Sequence, residues 1–483
     1  MNALSSGNLK RDYARFCIPC VMNMLVFSLF STVDGLFVGR YIGSDALACV
    51  SLSMPYMSIL FCIGITLAVG SGTLIAKSLG EGNIQKADAI FSQNIVVAVL
   101  LGVLLSGITA VLLNPICRLL GADETTLAGT ASYVGTISLF ATCVILEYNL
   151  EFLVKTDGNP RLSVGTVIST CLLNVFLDWF FIAKLSMGIF GAALATGISQ
   201  CIASLFFFFY ILCSKNGLFH FRRFHPDLKL YKELIPIGFS DGSLEICTAI
   251  LVWVFNLVMR QLFQTDGVAV CSLLIYSIGL SLNLYVGFSQ GMEPLVSFHY
   301  GASDTKSHQT VFRYALLSQG LVAIGIFVGL EILAPVIAQL FLKDAAAAAY
   351  GLAVSCIRWF APAVLLSGFN ILTAGYLTAL CRPRQALVLS ILRSLVIQVI
   401  FFLLFAWIFR GTTMWIGCGI VISYVRLLGT VILVLATGFL FRAISFDRRI
   451  FNGCIIRVAR LKHSGAEWGQ GGWAKFRSNV QGH

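Results

Sequence analysis

Asp34, Asn174, Asp178 and Thr196 stand inside long apolar stretches of this 483-residue chain. Ionisable side chains at such depth are costly and mark ion or substrate pathways. Asn174 and Asp178 are four residues apart, so on a helix they share a face. Two carboxylates, an amide and a hydroxyl are hard oxygen ligands and proton acceptors. Together they form a candidate cation- or proton-binding set. Burial and a neighbouring carboxylate both favour a retained proton on one acid of the pair. A second reading stands beside this one: Asp34 hydrogen-bonds across helices, and Asn174 holds a packing contact.

A further polar set lies in the second part of the chain. Asp241 and Glu245 are again four apart, followed by Gln290, Glu293, Arg393 and Arg426. Asp241, Glu245, Gln290, Arg393 and Arg426 are candidate residues of a substrate cleft. Either Glu245 faces that cleft and binds a cationic substrate or a proton, or the acids pair with the arginines as structural ion pairs. Glu147 and Glu151 precede Lys155, and the Glu151–Lys155 spacing predicts an ion pair on a helix surface.

Other chemistries lack their residues. The six His show no H-x-x-x-H spacing, so no metal enzyme is expected. No convergent Ser/His/Asp set is visible at membrane depth, so the chain is not expected to be an enzyme. A G-x-x-x-x-G-K-[ST] phosphate loop is missing, so ATP is not the direct energy source within this chain. Cys17 and Cys20 form C-I-P-C, but without the βαβ context of a redox site. No organic cofactor is expected.

The elements that must position these groups are membrane spans. The chain is 58% hydrophobic and 11% charged, against roughly 25% charged in soluble domains. Its apolar runs are about 20 residues or longer, the length that crosses a bilayer. Such runs are helices, since lipid offers the backbone no partner. Hydropathy places twelve, at 14–38, 46–76, 89–113, 127–152, 162–183, 188–213, 234–262, 268–298, 310–342, 348–380, 386–409 and 414–441. With the N-terminus inside, the inner segments carry most Lys and Arg, and the outer loops only Arg40, Arg118, Lys184, Arg260, Lys343 and Arg410. This predicts a multi-pass protein of the cytoplasmic membrane with both termini cytoplasmic. The net charge of +11 is scattered over these loops, so no nucleic-acid partner is expected.

The sequence also repeats. Asp45, Ala48, Ser51, Leu52, Gly70, Leu74 and Gly80 correspond to Asp266, Ala269, Ser272, Leu273, Gly291, Leu295 and Gly301, each 221 residues on. The expected organisation is a six-helix half at 1–213, a basic cytoplasmic linker at 214–233, a second six-helix half at 234–441 and a basic, disordered tail at 442–483. An even number of spans per half makes the repeat parallel, with a pseudo-twofold axis along the membrane normal. The fold class is thus an all-α polytopic membrane protein of twelve transmembrane helices, whose halves can rock about a central cleft.

In order along the chain stand VDGLFVGRYIG, GSGTLIAKSLGEGNIQKA, DGNPRLSVGTVIS, GFSQGMEPLVSFHYGA and LSILRS. Through these motifs residues 14–441 resemble the multidrug and toxic compound extrusion (MATE) family, most closely its bacterial MepA and DinF-like branches. The resemblance implies a V-shaped twelve-helix fold. It also implies an antiporter that exports organic, cationic or amphiphilic compounds in exchange for Na⁺ or H⁺ and works as a monomer in the lipid bilayer. Asp34, Asn174, Asp178 and Thr196 each fall where DinF-like members place their cation site, which implies Na⁺ or H⁺ binding there. The chain departs from the family near its last span: MWIGCGIVISYVRLLG keeps Trp415 without the following Pro and acid, and Arg426 stands midspan. Export of a lipid-linked or anionic substrate on the same fold is the alternative implied by Arg393 and Arg426.

Overall fold

In lipid a chain satisfies its backbone internally, and the described residues do so as helices, with no strand among them. The computed structural model describes residues 4, 7–41, 44–214, 217–224, 226–341 and 347–408. The side chains of 29–45 and 259–278 fall outside this description, as do the tail and the expected twelfth span.

The helices are α1 (Leu9–Tyr41), α2 (Ser44–Gly80), α3 (Ile84–Leu119), α4 (Leu127–Leu139), α5 (Ala141–Thr156), α6 (Pro160–Asp178), α7 (Gly188–Cys213) and α8 (Leu228–Gly301). They continue as α9 (Thr305–Phe341), α10 (Ala347–Ala379), α11 (Pro383–Ile391) and α12 (Ile397–Ile408). Short π-helical turns at Trp179–Lys184 and Leu392–Val396 extend α6 and α11. Among the described residues, eight helical segments are long and apolar enough to cross a bilayer, and the α4–α5 pair makes a ninth. The three other expected spans, the first, eighth and twelfth, overlap residues outside the full description.

Two expectations change in detail. The fourth span is not one helix: α4 and α5 meet at Phe140 with a 56° bend. Helical turns continue through the loop expected between the seventh and eighth spans, so one element, α8, carries both spans over 74 residues. Those two spans nevertheless lie side by side. Ser240 Oγ meets Thr378 Oγ1 at 2.9 Å, and Ser297 Oγ donates to the carbonyl of the next residue, Ala379, at 3.2 Å. A straight helix from Ser240 to Ser297 would extend roughly 85 Å, so α8 doubles back between them.

The seam between the two parts of the chain is built from glycines. A Cβ on Gly291 of α8 would stand 2.6 Å from Cys17 Cα of α1, and one on Gly238 would stand 2.9 Å from the Gly70 backbone nitrogen on α2. Gly80 lies against the Phe298 carbonyl, and Gly301 against the Lys77 carbonyl. The residues of each contact map onto its mate by the 221-residue offset read in the sequence: 70 onto 291, 17 onto 238, 80 onto 301 and 77 onto 298. Only glycine permits backbones this close. Cys17 and Cys20, the C-I-P-C pair, are buried in this region.

The basic linker is held against the first half. His220 N and Arg222 N donate to Asp88 Oδ1 and Ser92 Oγ of α3 at 2.7 and 2.9 Å, and Arg222 Nε lies 3.0 Å from Asp88 Oδ2. Gln93 exchanges two hydrogen bonds with the Asp227 backbone. Phe219 is fully buried against Phe91, ring centroids 5.0 Å apart. Leu218 N donates to Asp157 Oδ1 at 2.5 Å. Asp157 sits in the α5–α6 turn, where burial lifts its carboxyl from the ordinary 3.8 to about 6 against the lowering effect of the Leu218 amide and His220. Gly158, at φ +90°, supplies the left-handed residue of that turn, and Arg15 donates to its carbonyl at 2.7 Å.

Candidate functional site: a polar cluster on α6 and α7

Pro160 starts α6 at a position where its missing N–H costs nothing. From there Asn174 and Asp178 fall one turn apart on the buried face, 1% and 0% exposed. With the Asn174 amide oriented to satisfy both its ends, its nitrogen donates to Asp178 Oδ2 at 3.0 Å and its oxygen accepts from Thr196 N at 3.2 Å. Thr196 is half-buried on α7, and its hydroxyl donates to the Ala192 carbonyl at 3.2 Å. The small residues of GAALATG allow this approach. Gly191 faces Phe181 of the π turn, and Gly197 leaves space for the Phe140 ring at the α4–α5 bend. Asp178 is the last α-helical residue before that turn, a distortion that often marks functional sites.

Three of the four predicted residues therefore come together, the Asp178 carboxylate meeting the Asn174 amide and that amide meeting the Thr196 backbone N–H. The fourth, Asp34, lies on α1, which packs along α6 and reaches the π turn. Its side chain is outside the described residues. The arrangement offers hard oxygens to a small cation or a seat for a proton.

The second predicted set divides. Asp241 is hydrogen-bonded by Thr378 and faces Arg393, which the second π turn carries. Gln290 Oε1 instead accepts from Lys155 Nζ across the seam at 3.0 Å. Glu245 is half-buried, with Cys62 and Tyr148 as electrostatic neighbours. Arg426 lies outside the described residues.

One predicted pair forms in a different setting, and one network escaped the reading of the sequence. The Glu151–Lys155 pair forms at 2.6 Å, but in the interior rather than on a surface: Lys155 is 0% exposed. Glu151 Oε1 also accepts from Asn23 Nδ2 and Ser163 Oγ, both at 2.7 Å. These partners surround α5 on three sides, which one helix's own spacing does not reveal. Asn94, Asn149 and Ser71 form a second buried group, with Asn94 Nδ2 at 2.9 Å from Asn149 Oδ1 and 3.0 Å from Ser71 Oγ. Asparagines inside apolar runs were its one available signal.

The fold defines a multi-pass helical membrane protein. The MatE family model matches the chain twice, over residues 19–180 and 243–404, and the protein belongs to that family. The multidrug export protein MepA of Staphylococcus saprophyticus is 26% identical over 397 residues, covering 80% of this chain and 86% of MepA. MepA of Staphylococcus haemolyticus is 27% identical over 397 residues, covering 80% and 85%. Among solved structures, an outward-facing multidrug resistance MATE family transporter of the MOP superfamily superposes with TM-score 0.85 at 22% identity, covering 89% of this chain and 96% of that one. A MOP superfamily transporter from Pyrococcus furiosus, described by the reversed polarity of its binding pocket, superposes with TM-score 0.82 at 22% identity, covering 90% and 97%. The chain is thus a transporter of the MATE family and not an enzyme.

Proposed function

We propose that this protein is a secondary antiporter that exports organic compounds of cationic or amphiphilic character from the cell, in exchange for Na⁺ or H⁺. The observation that carries the reading is the buried Asp178 carboxylate held by the Asn174 amide, which is in turn held by the Thr196 backbone N–H of α7. Asp178 is wholly buried, and an ionisable side chain at membrane depth marks an ion pathway. Asp178 holds the cation or proton, Asn174 orients the carboxylate, Thr196 fixes Asn174 from α7, and Asp34 completes the set from α1. The multidrug export names of the MepA relatives support the choice of cargo.

In the proposed orientation both termini face the cytoplasm of a cytoplasmic-membrane protein acting as a monomer. The glycine seam then lies toward the cytoplasm, and this conformation is closed on that side. Occupation of the Asp178 cluster from outside favours parting of the seam, followed by ion release and substrate loading inside. Of the two arginines that suggested a lipid-linked or anionic cargo, Arg393 faces a carboxylate instead and Arg426 lies outside the described residues; among the described residues the buried Lys155 is likewise paired with an acid. That favours cationic cargo.

The test is efflux of ethidium from proteoliposomes with Na⁺ and pH gradients imposed separately. One gradient, applied alone, is expected to drive efflux. Equal rates with either gradient and with none would overturn the proposal.

A further inference from the structure

Glu293 sits on α8 at the glycine seam, away from the α6–α7 cluster, and is 3% exposed. Its Oε1 accepts from Ser289 Oγ at 2.8 Å. The same oxygen rests against α10 where Gly375 leaves room: a Cβ there would stand 2.7 Å from it. Its Oε2 is sealed from solvent and accepts no hydrogen bond.

The charged groups facing Glu293 are Asp241, from the other arm of the doubled α8, and Lys155, from α5 across the seam. Asp241 in turn faces Arg393, and its Oδ2 is likewise sealed and without a hydrogen bond. Lys155 is held by Glu151 and Gln290. Cys20 of α1 is the other titratable neighbour, and it feels Lys155, Glu151 and Glu293 together. Lys155 is thus matched by Glu151 and Arg393 by Asp241, which leaves two acids beyond the matched pairs: Glu147, which shares Lys155 from α5, and Glu293. A buried carboxyl without a cation of its own neutralises by binding a proton.

We propose that Glu293 is a proton-binding site at the seam between the two halves, holding a proton while the seam is closed and releasing it when α8 parts from α1 and α5. On parting, the carboxylic O–H bond breaks, its electron pair stays on Glu293 and the proton passes to water. Water then solvates the carboxylate that the closed seam cannot. This goes beyond the antiport reading, because the site lies on other helices and carries a proton whichever ion occupies the Asp178 cluster. It also gives the cytoplasmic closure a dependence on protonation that the α6–α7 cluster alone does not supply.

The experiment is pH-difference infrared spectroscopy on the purified full-length chain. The wild type is expected to show the carbonyl stretch of a protonated, buried carboxyl group. Glu293→Gln, folded as judged by melting, is expected to lose one component of that band, and Asp178→Asn to keep that component. A band unchanged in folded Glu293→Gln, or lost only in Asp178→Asn, overturns the proposal. Should Glu293→Gln fail to fold, Glu293→Asp decides: a shifted band supports the assignment and an unshifted one overturns it. Gradient-independent ethidium efflux would sink the antiport reading and leave this spectrum as expected, so the two failures are distinguishable.

Discussion

Asn174 donates to Asp178 Oδ2 at 3.0 Å, one turn away on α6, while its carbonyl is taken by the Thr196 amide of α7. The carboxylate is thereby oriented by a neutral side chain that is itself pinned by a second helix. Replacing Asn174 by Leu removes this hold and keeps the bulk. We expect ion-dependent ethidium efflux to fall at least tenfold, which corresponds to about 1.4 kcal/mol of lost stabilisation. Asn174→Gln, which retains the amide, is expected to recover part of it. Efflux rates in proteoliposomes check both.

Lys155 is wholly buried and bound to Glu151. Removing one partner of such a pair strands the other charge, at a cost of about 3–5 kcal/mol. Lys155→Met is therefore expected to lower the melting temperature in detergent strongly. The double variant Lys155→Met/Glu151→Leu is expected to regain much of the loss, because no charge is then left unmatched.

Gly291 meets the backbone of Cys17. Gly291→Leu forces a side chain into the seam, and overpacking of this kind costs about 1–3 kcal/mol. The expected outcome is a lower melting temperature together with faster maleimide labelling of Cys17, measured with the other cysteines replaced by serine. The equivalent change Gly70→Leu is expected to open the other side of the seam.

Asp157 binds the linker amide of Leu218, with burial raising its carboxyl to about 6. A folded-state value raised above the unfolded one means that the folded chain binds the proton more tightly. The contribution to stability is full below about 3.8 and is lost as pH rises toward 6. Asp157→Asn is expected to flatten the pH dependence of melting across that window.

The helical class, nine of the expected spans among the described residues and the joining of Asn174, Asp178 and Thr196 were legible because each rests on local pattern. Hydropathy marks the spans, and i,i+4 spacing puts Asn174 and Asp178 on one face. The 221-residue offset reappears as physical contact, with Gly80 against Phe298 and Gly301 against Lys77. What stayed hidden depends on neighbours from distant sequence. The Glu151–Lys155 pair meets its polar partners on α1, α6 and α8, far off in sequence. The bend at Phe140 goes with the close packing of Gly197 against that ring. The basic linker reads as a polar loop, yet Asp88, Ser92 and Gln93, on an otherwise ordinary helix start, hold it by its backbone.

The central claim is that the carboxylate of Asp178 binds the ion that drives transport. Its most direct test is ethidium efflux by Asp178→Asn in proteoliposomes under the same separately imposed Na⁺ and pH gradients as the wild type. The account predicts that the variant, folded and inserted at wild-type levels, no longer responds to the gradient that drives the wild type. A variant whose efflux follows that gradient as the wild type does would contradict it.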